Sequence, residues 1–174
     1  MKSIPKNLGT NEERTAEYIN QWNSEKTLKN LISNPKPCIF DIGANNGSSI
    51  YDFKSWWPES TIHCFEPQHE CYASLEKTAA EFDKGSIYIN MSAVGNTTSK
   101  NASFYTHDIN SGISGFNKIN INSNDSIKIN DLHEKGEAEI NKYTEMLNHN
   151  REVEIIRLDE YIDAIDPNLH IDFL

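Results

Sequence analysis

Residues 40–47 read Phe40-Asp41-Ile42-Gly43-Ala44-Asn45-Asn46-Gly47. They overlap the apolar run from Cys38 to Ile42, which predicts a short strand buried on both faces. After the glycines, residues 48–57 carry apolar side chains at helical intervals until Pro58 breaks the pattern. A buried strand, a glycine loop and an amphipathic helix in this order are typical of α/β folds that bind a nucleotide or nucleoside where the strands end.

The following residues repeat this alternation. The run from Thr61 to Phe65 predicts a second strand, residues 68–82 a helix, and residues 86–90 a third strand. An alternation of this kind is the signature of a parallel sheet wrapped by helices. We therefore expect an α/β, Rossmann-like fold, built from the first strands of a mostly parallel sheet with flanking helices.

The flanking residues give weaker patterns. Thr10 and Glu13 form a capping box that begins a predicted helix over about residues 11–32. Residues 102–106 could form a strand, and residues 110–130 read as a mobile loop rich in Asn, Ile and Ser. Later patterns predict a helix near residues 140–147, a strand at 153–158, a helical turn at 159–165 and the start of a strand at 171–174. We divide the chain into a helical extension, residues 1–36, and a domain over residues 37–174.

Composition excludes several classes of protein. A net charge of -10 and a pI near 5.0 disfavour nucleic acid and anionic membranes as partners, because both are bound through clustered Lys and Arg. Three cysteines without a C-x-x-C pair suggest buried thiols rather than disulfides or a zinc site. The six histidines show no ligand-like pairing, so no metal is expected. Without a signal peptide or long apolar run, the cytoplasm is the expected location.

Two acids stand at the ends of predicted strands. Asp41 would suit a cationic ligand, or it could cap the turn or the following helix, and the sequence leaves both readings open. Glu66 follows Gly43 by 23 residues, where an acid accepts the ribose hydroxyls of an adenosine ligand; the lesser alternative is a surface glutamate that opens a helix. The loop lacks the G-x-G-x-x-G spacing of NAD-binding proteins.

Five motifs resemble those of FkbM methyltransferases, in order and at similar spacing. They are residues 40–47, Phe65-Glu66-Pro67, Ala93-Val94-Gly95-Asn96, Leu158-Asp159-Glu160-Tyr161 and Ile171-Asp172-Phe173-Leu174. The resemblance covers residues 37–174 and implies a class I methyltransferase fold, S-adenosylmethionine as cofactor, and O-methylation of a hydroxyl on a sugar or other small metabolite.

The resemblance also implies roles for single residues. The methionine and sulfonium end of the cofactor would lie against Asp41, Gly43, Ala44, Asn45 and Gly47. Glu66 would hold the ribose, and Ser92 and Ala93 would lie near the adenine edge. The region from Ser111 to Ser114 corresponds to a small-residue loop near the site.

The resemblance ends before the acceptor side. In the family, the strand beginning at Ile171 continues into a K-I-D-x-E-G motif that faces the acceptor, and this sequence stops before it. We therefore expect a fold incomplete at its C-terminal end, poor turnover, and self-association through an open edge at residues 38–42 or 171–174. The alternatives are a catalytically incomplete nucleoside-binding or interaction module of the same fold and, less favoured, an NAD-dependent oxidoreductase.

Overall fold

A computed structural model describes Glu13, Ala16 and residues 24–107, 111–123 and 136–174. The helix predicted over residues 11–32 is seen in its last part as α1 (Ser24–Leu31), and most of the remainder lies outside the described residues. Part of the predicted 110–130 loop also lies outside them. No helix in the described ranges is both long enough and apolar enough to span a membrane.

The first sheet confirms the predicted α/β fold. Its elements are β1 (Cys38–Ile42), α2 (Ser48–Trp56), β2 (Thr61–Phe65), α3 (His69–Ala79) and β3 (Ile87–Asn90). The three strands are parallel in the order β1-β2-β3. Helix α3 ends three residues before the predicted position. This arrangement of a parallel sheet with flanking helices is compatible with an incomplete Rossmann-like fold.

The last described residues lie beside β1. The backbone N–H of Phe40 donates to the Phe173 carbonyl at 2.9 Å, and the N–H of Asp172 donates to the Cys38 carbonyl at 2.9 Å. The Asp172 carboxylate accepts a bond from the Cys38 N–H at 2.9 Å and one from the Asn34 amide at 3.0 Å. The second edge of β1 is therefore paired around residues 38–40, so the open edge expected at residues 38–42 is covered over that part.

A second sheet packs next to the first and was not predicted as a unit. It contains β4 (Ala93–Val94), β5 (Ser99–Thr106) and β6 (His149–Ile156), in the order β4-β6-β5. Strand β6 pairs parallel with β4 and antiparallel with β5. Helices α4 (Glu137–Leu147) and α5 (Leu158–Ile165) precede and follow β6. The sequence predicted strands near those of β5 and β6 and both helices, but no strand at β4.

Apolar side chains cover both faces of the first sheet, as expected for a buried parallel sheet. Successive residues of a strand point to opposite faces, so Ile39 joins the cluster that contains α2 and α3 residues, while Phe40 joins a cluster with Tyr161 of α5. Ile32, just after α1, belongs to the first cluster. All three cysteines are buried, which confirms that prediction, and burial raises the pKa of the Cys64 thiol to about 12.

His63 of β2 is a buried polar residue on the α5 side of the sheet. Its Nδ1 lies 2.8 Å from the Tyr161 hydroxyl, and its ring stacks on Tyr88 with centroids 4.8 Å apart. The side chain is only 4% exposed, and burial lowers the pKa of its imidazole because the charged form loses hydration. His63 is therefore a hydrogen-bonded core residue that favours its neutral form.

We expect His63 to make stability depend on pH. The unfolded chain binds the proton near the ordinary pKa of about 6.5, whereas the folded chain binds it only at lower pH, so the free energy of unfolding falls as pH decreases through that range. Urea unfolding of the parent and of His63→Gln at several pH values checks this. The variant should show a flatter profile between about pH 7.5 and 5.5, and identical profiles would contradict the assignment.

Candidate functional site

A cavity of about 290 Å³ opens where β1 and β2 end, between the first sheet and the second. One wall is polar, with Gly43 and the side chains of Asn45, Glu66, Gln68 and Ser111. The remaining wall is largely apolar and is formed by the side chains of Ile42, Phe65, Ala93, Val94, Phe104 and Phe116. Such a concave site with a few convergent polar groups is the usual form of a small-molecule site.

Among the described lining residues, Glu66 is the one with a charged side chain. Its carboxylate is 3% exposed and accepts bonds from the Asn45 N–H at 2.8 Å, the Gln68 N–H at 2.8 Å and the Gln68 side-chain amide at 3.2 Å. A carboxylate has about four acceptor positions. One position on Oε2 is thus left for a ligand, and the longest bond, from the Gln68 amide, is the easiest to displace. The site therefore suits a ligand that donates hydrogen bonds.

The loop between β1 and α2 brings backbone close to Glu66. The N–H groups of Gly43 and Ala44 both donate to the Phe65 carbonyl, at 2.8 and 3.1 Å, which fastens the loop to the end of β2. Gly43 has φ +85° and Asn45 has φ +49°, a region that Gly and Asn adopt most readily. No atom lies within 4 Å of a Cβ built on Gly43, so this part of the wall is open.

The segment from Ser111 to Phe116, called here the 111–116 segment, lies across the cavity. Ser111 Oγ lies 2.8 Å from the Asn45 amide nitrogen, and its carbonyl accepts a bond from the Gln68 amide at 3.1 Å. Gly115 pairs with Tyr105 of β5 through bonds of 2.8 and 3.0 Å. The small-residue region suggested by the sequence therefore contacts the same loop and the same glutamine as the Glu66 carboxylate.

Four of the eight predicted cofactor residues line the cavity: Gly43, Asn45, Glu66 and Ala93. The other four do not line it. Ala44 and Ser92 are each 3% exposed, and Gly47 packs against Leu75 of α3.

Asp41 lies near the end of β1, within the strand predicted over residues 38–42. Its carboxylate accepts a hydrogen bond from the Ser49 hydroxyl in the first turn of α2. Burial raises the pKa of the Asp41 carboxyl, and the bond from Ser49 opposes that shift. Asp41 therefore bonds to a side chain in the first turn of α2, and it does not line the cavity.

Gln68, Phe104 and Phe116 are among the lining residues that sequence reasoning did not assign to the site. Gln68 directly follows the Phe65-Glu66-Pro67 motif, so its place near the strand end was available as a signal. Phe104 stands in the possible strand at 102–106, but the face to which it points depends on pairing with β6. Phe116 lies in the Asn-rich stretch, where no periodicity marks its position.

Comparison with known proteins shows a local similarity to a methyltransferase. No family model matches the chain. Over 63 residues, or 36% of the chain, it is 29% identical to 2-O-methyltransferase NoeI of Sinorhizobium fredii. The match spans about a quarter of the length of that protein, 26%.

Proposed function

We propose that this chain binds S-adenosylmethionine in the cavity and carries part of a methyltransferase of the FkbM type. Its acceptor would be a hydroxyl of a sugar or another small metabolite. The observation that carries the proposal is the buried Glu66 carboxylate, which faces a cavity at the carboxyl ends of two parallel strands. The local similarity to a 2-O-methyltransferase supports the same class of reaction.

The lining residues fit a nucleoside of this kind. Glu66 would accept bonds from the ribose hydroxyls, through its free position on Oε2 and through Oε1 once the Gln68 amide moves away. Gly43 and Asn45 would lie beside the methionine part, where the wall carries no side chain at Gly43. Ala93 and the apolar wall would surround the base. When bound, the cofactor supplies an electrophilic methyl group on sulfur.

The acceptor's base is not provided by the described cavity wall. Methyl transfer depends on alignment of the acceptor with the methyl group, and a hydroxyl acceptor must also lose its proton to a placed base. Glu66 is the one ionisable side chain among the lining residues of the described ranges, and it is occupied by backbone and Gln68 bonds. We therefore place the base outside this set of residues.

Calorimetric titration of the 174-residue chain tests the proposal. S-Adenosylmethionine and S-adenosylhomocysteine should both bind with one site per chain, whereas NAD should not, because its pyrophosphate would meet the Glu66 carboxylate and no lining Lys or Arg in the described ranges. Binding of NAD in preference would favour an oxidoreductase. Absence of binding by all three would overturn the proposal and favour an interaction module.

A further inference from the structure

Phe116 presents an aromatic ring to the cavity. It is 41% exposed, although it lines a concave site. Its ring stands edge-on to that of Phe104, with centroids 5.2 Å apart and an interplanar angle of 89°. Phe104 itself is 5% exposed, so Phe116 packs against a buried ring. Burying exposed aromatic surface is favourable, and a flat apolar partner in the cavity would do this.

The backbone beside Phe116 is held in place. Gly115, its neighbour, exchanges two hydrogen bonds with Tyr105 of β5. Ser114 Oγ accepts a bond from the His107 N–H at 3.1 Å, and Ser111 is bonded to both Asn45 and Gln68. A ring on such a segment needs little ordering when a ligand arrives, and this lowers the entropic cost of binding.

The charge of the cavity restricts the kind of ligand. Its described lining residues include Glu66 but no Lys or Arg. A phosphate group would be repelled by the carboxylate and would find no cation. A neutral or cationic nucleoside, with its hydroxyls on Glu66 and its flat base against the apolar wall, matches both the polar and the apolar side.

We propose that Phe116 is the platform on which the purine ring of the ligand stacks, and that it determines specificity for the base. This inference rests on the proposed function, since it assigns the base end of the same ligand. Ala93 and Val94 line the cavity together with Phe116. They would enclose the purine from the β4 side.

Two ligands separate stacking from a general structural role. S-Adenosylhomocysteine carries the purine, whereas S-ribosylhomocysteine has a hydroxyl in its place. Stacking of a base on an aromatic side chain corresponds to about 5- to 150-fold in affinity. We expect Phe116→Ala to lower the affinity for S-adenosylhomocysteine by about tenfold. The affinity for S-ribosylhomocysteine, measured by displacement, should stay within about twofold of the parent value.

Further variants control for folding. Phe116→Leu keeps apolar volume without a ring and should lose affinity for the purine ligand, whereas Phe116→Tyr keeps the ring and should bind like the parent. Ile113→Ala removes another exposed apolar side chain of the 111–116 segment that does not line the cavity, and it should have little effect.

Three other outcomes would contradict either the stacking role or the proposed function. If Phe116→Leu and Phe116→Ala bind S-adenosylhomocysteine as tightly as the parent, the stacking role is wrong. Equal weakening of both ligands would assign Phe116 to the shape of the cavity and would also overturn it. A parent chain that binds neither ligand would refute the proposed function itself, so the two failures can be told apart.

Discussion

Replacing Gly47 with alanine should lower the free energy of unfolding by about 2 to 5 kcal/mol. Gly47 precedes α2 with φ +83°, a conformation that is strained for any residue with a Cβ. An added Cβ would also lie 2.9 Å from Leu75 Cδ1 and 3.2 Å from Thr78 Cβ, both on α3. Because Leu75 is fully buried, its side chain and the neighbouring part of α3 would have to shift to admit the added Cβ. Urea unfolding at fixed pH measures this loss.

Gly85 offers a matched control for this prediction. Its φ is +81°, almost the same as that of Gly47, but no atom lies within 4 Å of an added Cβ. Gly85→Ala therefore introduces the backbone strain without the steric contact and should cost about 1 to 2 kcal/mol. Equal losses in the two variants would mean that the contact with α3 contributes nothing.

Glu66→Ala should lower the affinity for S-adenosylhomocysteine by about ten- to hundredfold, because charge-assisted bonds to the ribose hydroxyls are lost. The variant also leaves the N–H groups of Asn45 and Gln68 without their acceptor, so some loss of stability is expected. Calorimetry gives the affinity, and urea unfolding in parallel establishes that the variant is folded at the temperature of the titration.

Two further variants test the role of the Glu66 carboxylate. Glu70→Gln neutralises an exposed acid four residues later that does not line the cavity. It should bind S-adenosylhomocysteine like the parent. Glu66→Gln keeps the side-chain volume but presents an amide group to backbone donors, so it should also bind weakly. If the Glu66 variants are folded and retain parental affinity, the carboxylate does not bind ribose.

The first sheet could be predicted because each of its strands has a clear pattern over a few consecutive residues. Strands β1 and β2 are short apolar runs bounded by turns, and both were found at the predicted residues. Parallel strands end at the same edge of a sheet, which is why Gly43 and Glu66 come together although 23 residues separate them. That one topological rule predicts that the two residues lie close together, and both line the same cavity.

The second sheet depends on information that is not local. Strand β4 is two residues long and has no periodicity to detect. The β5–β6 ladder joins residues about fifty positions apart, and its register shifts between Ser99 and Ala102. Which side chain faces the cavity is decided by that register, because a slip of one residue would turn Phe104 away. Of the apolar wall, sequence reasoning therefore assigned Ala93 to the site but not Phe104, although strands near those of β5 and β6 were predicted.

The hydrogen bonds of Asp172 affect the order in which the fold can be completed. Its carboxylate is the acceptor for the Cys38 N–H, 134 residues earlier in the chain. During synthesis at about 5–20 residues per second, β1 emerges on the order of ten seconds before this partner. Throughout that interval one edge of β1 is open, and its apolar residues can pair with strands of other nascent chains. Pairing with residues 172 and 173 covers this part of the edge, so slower translation of the second half of the chain would lengthen the time for which it is exposed.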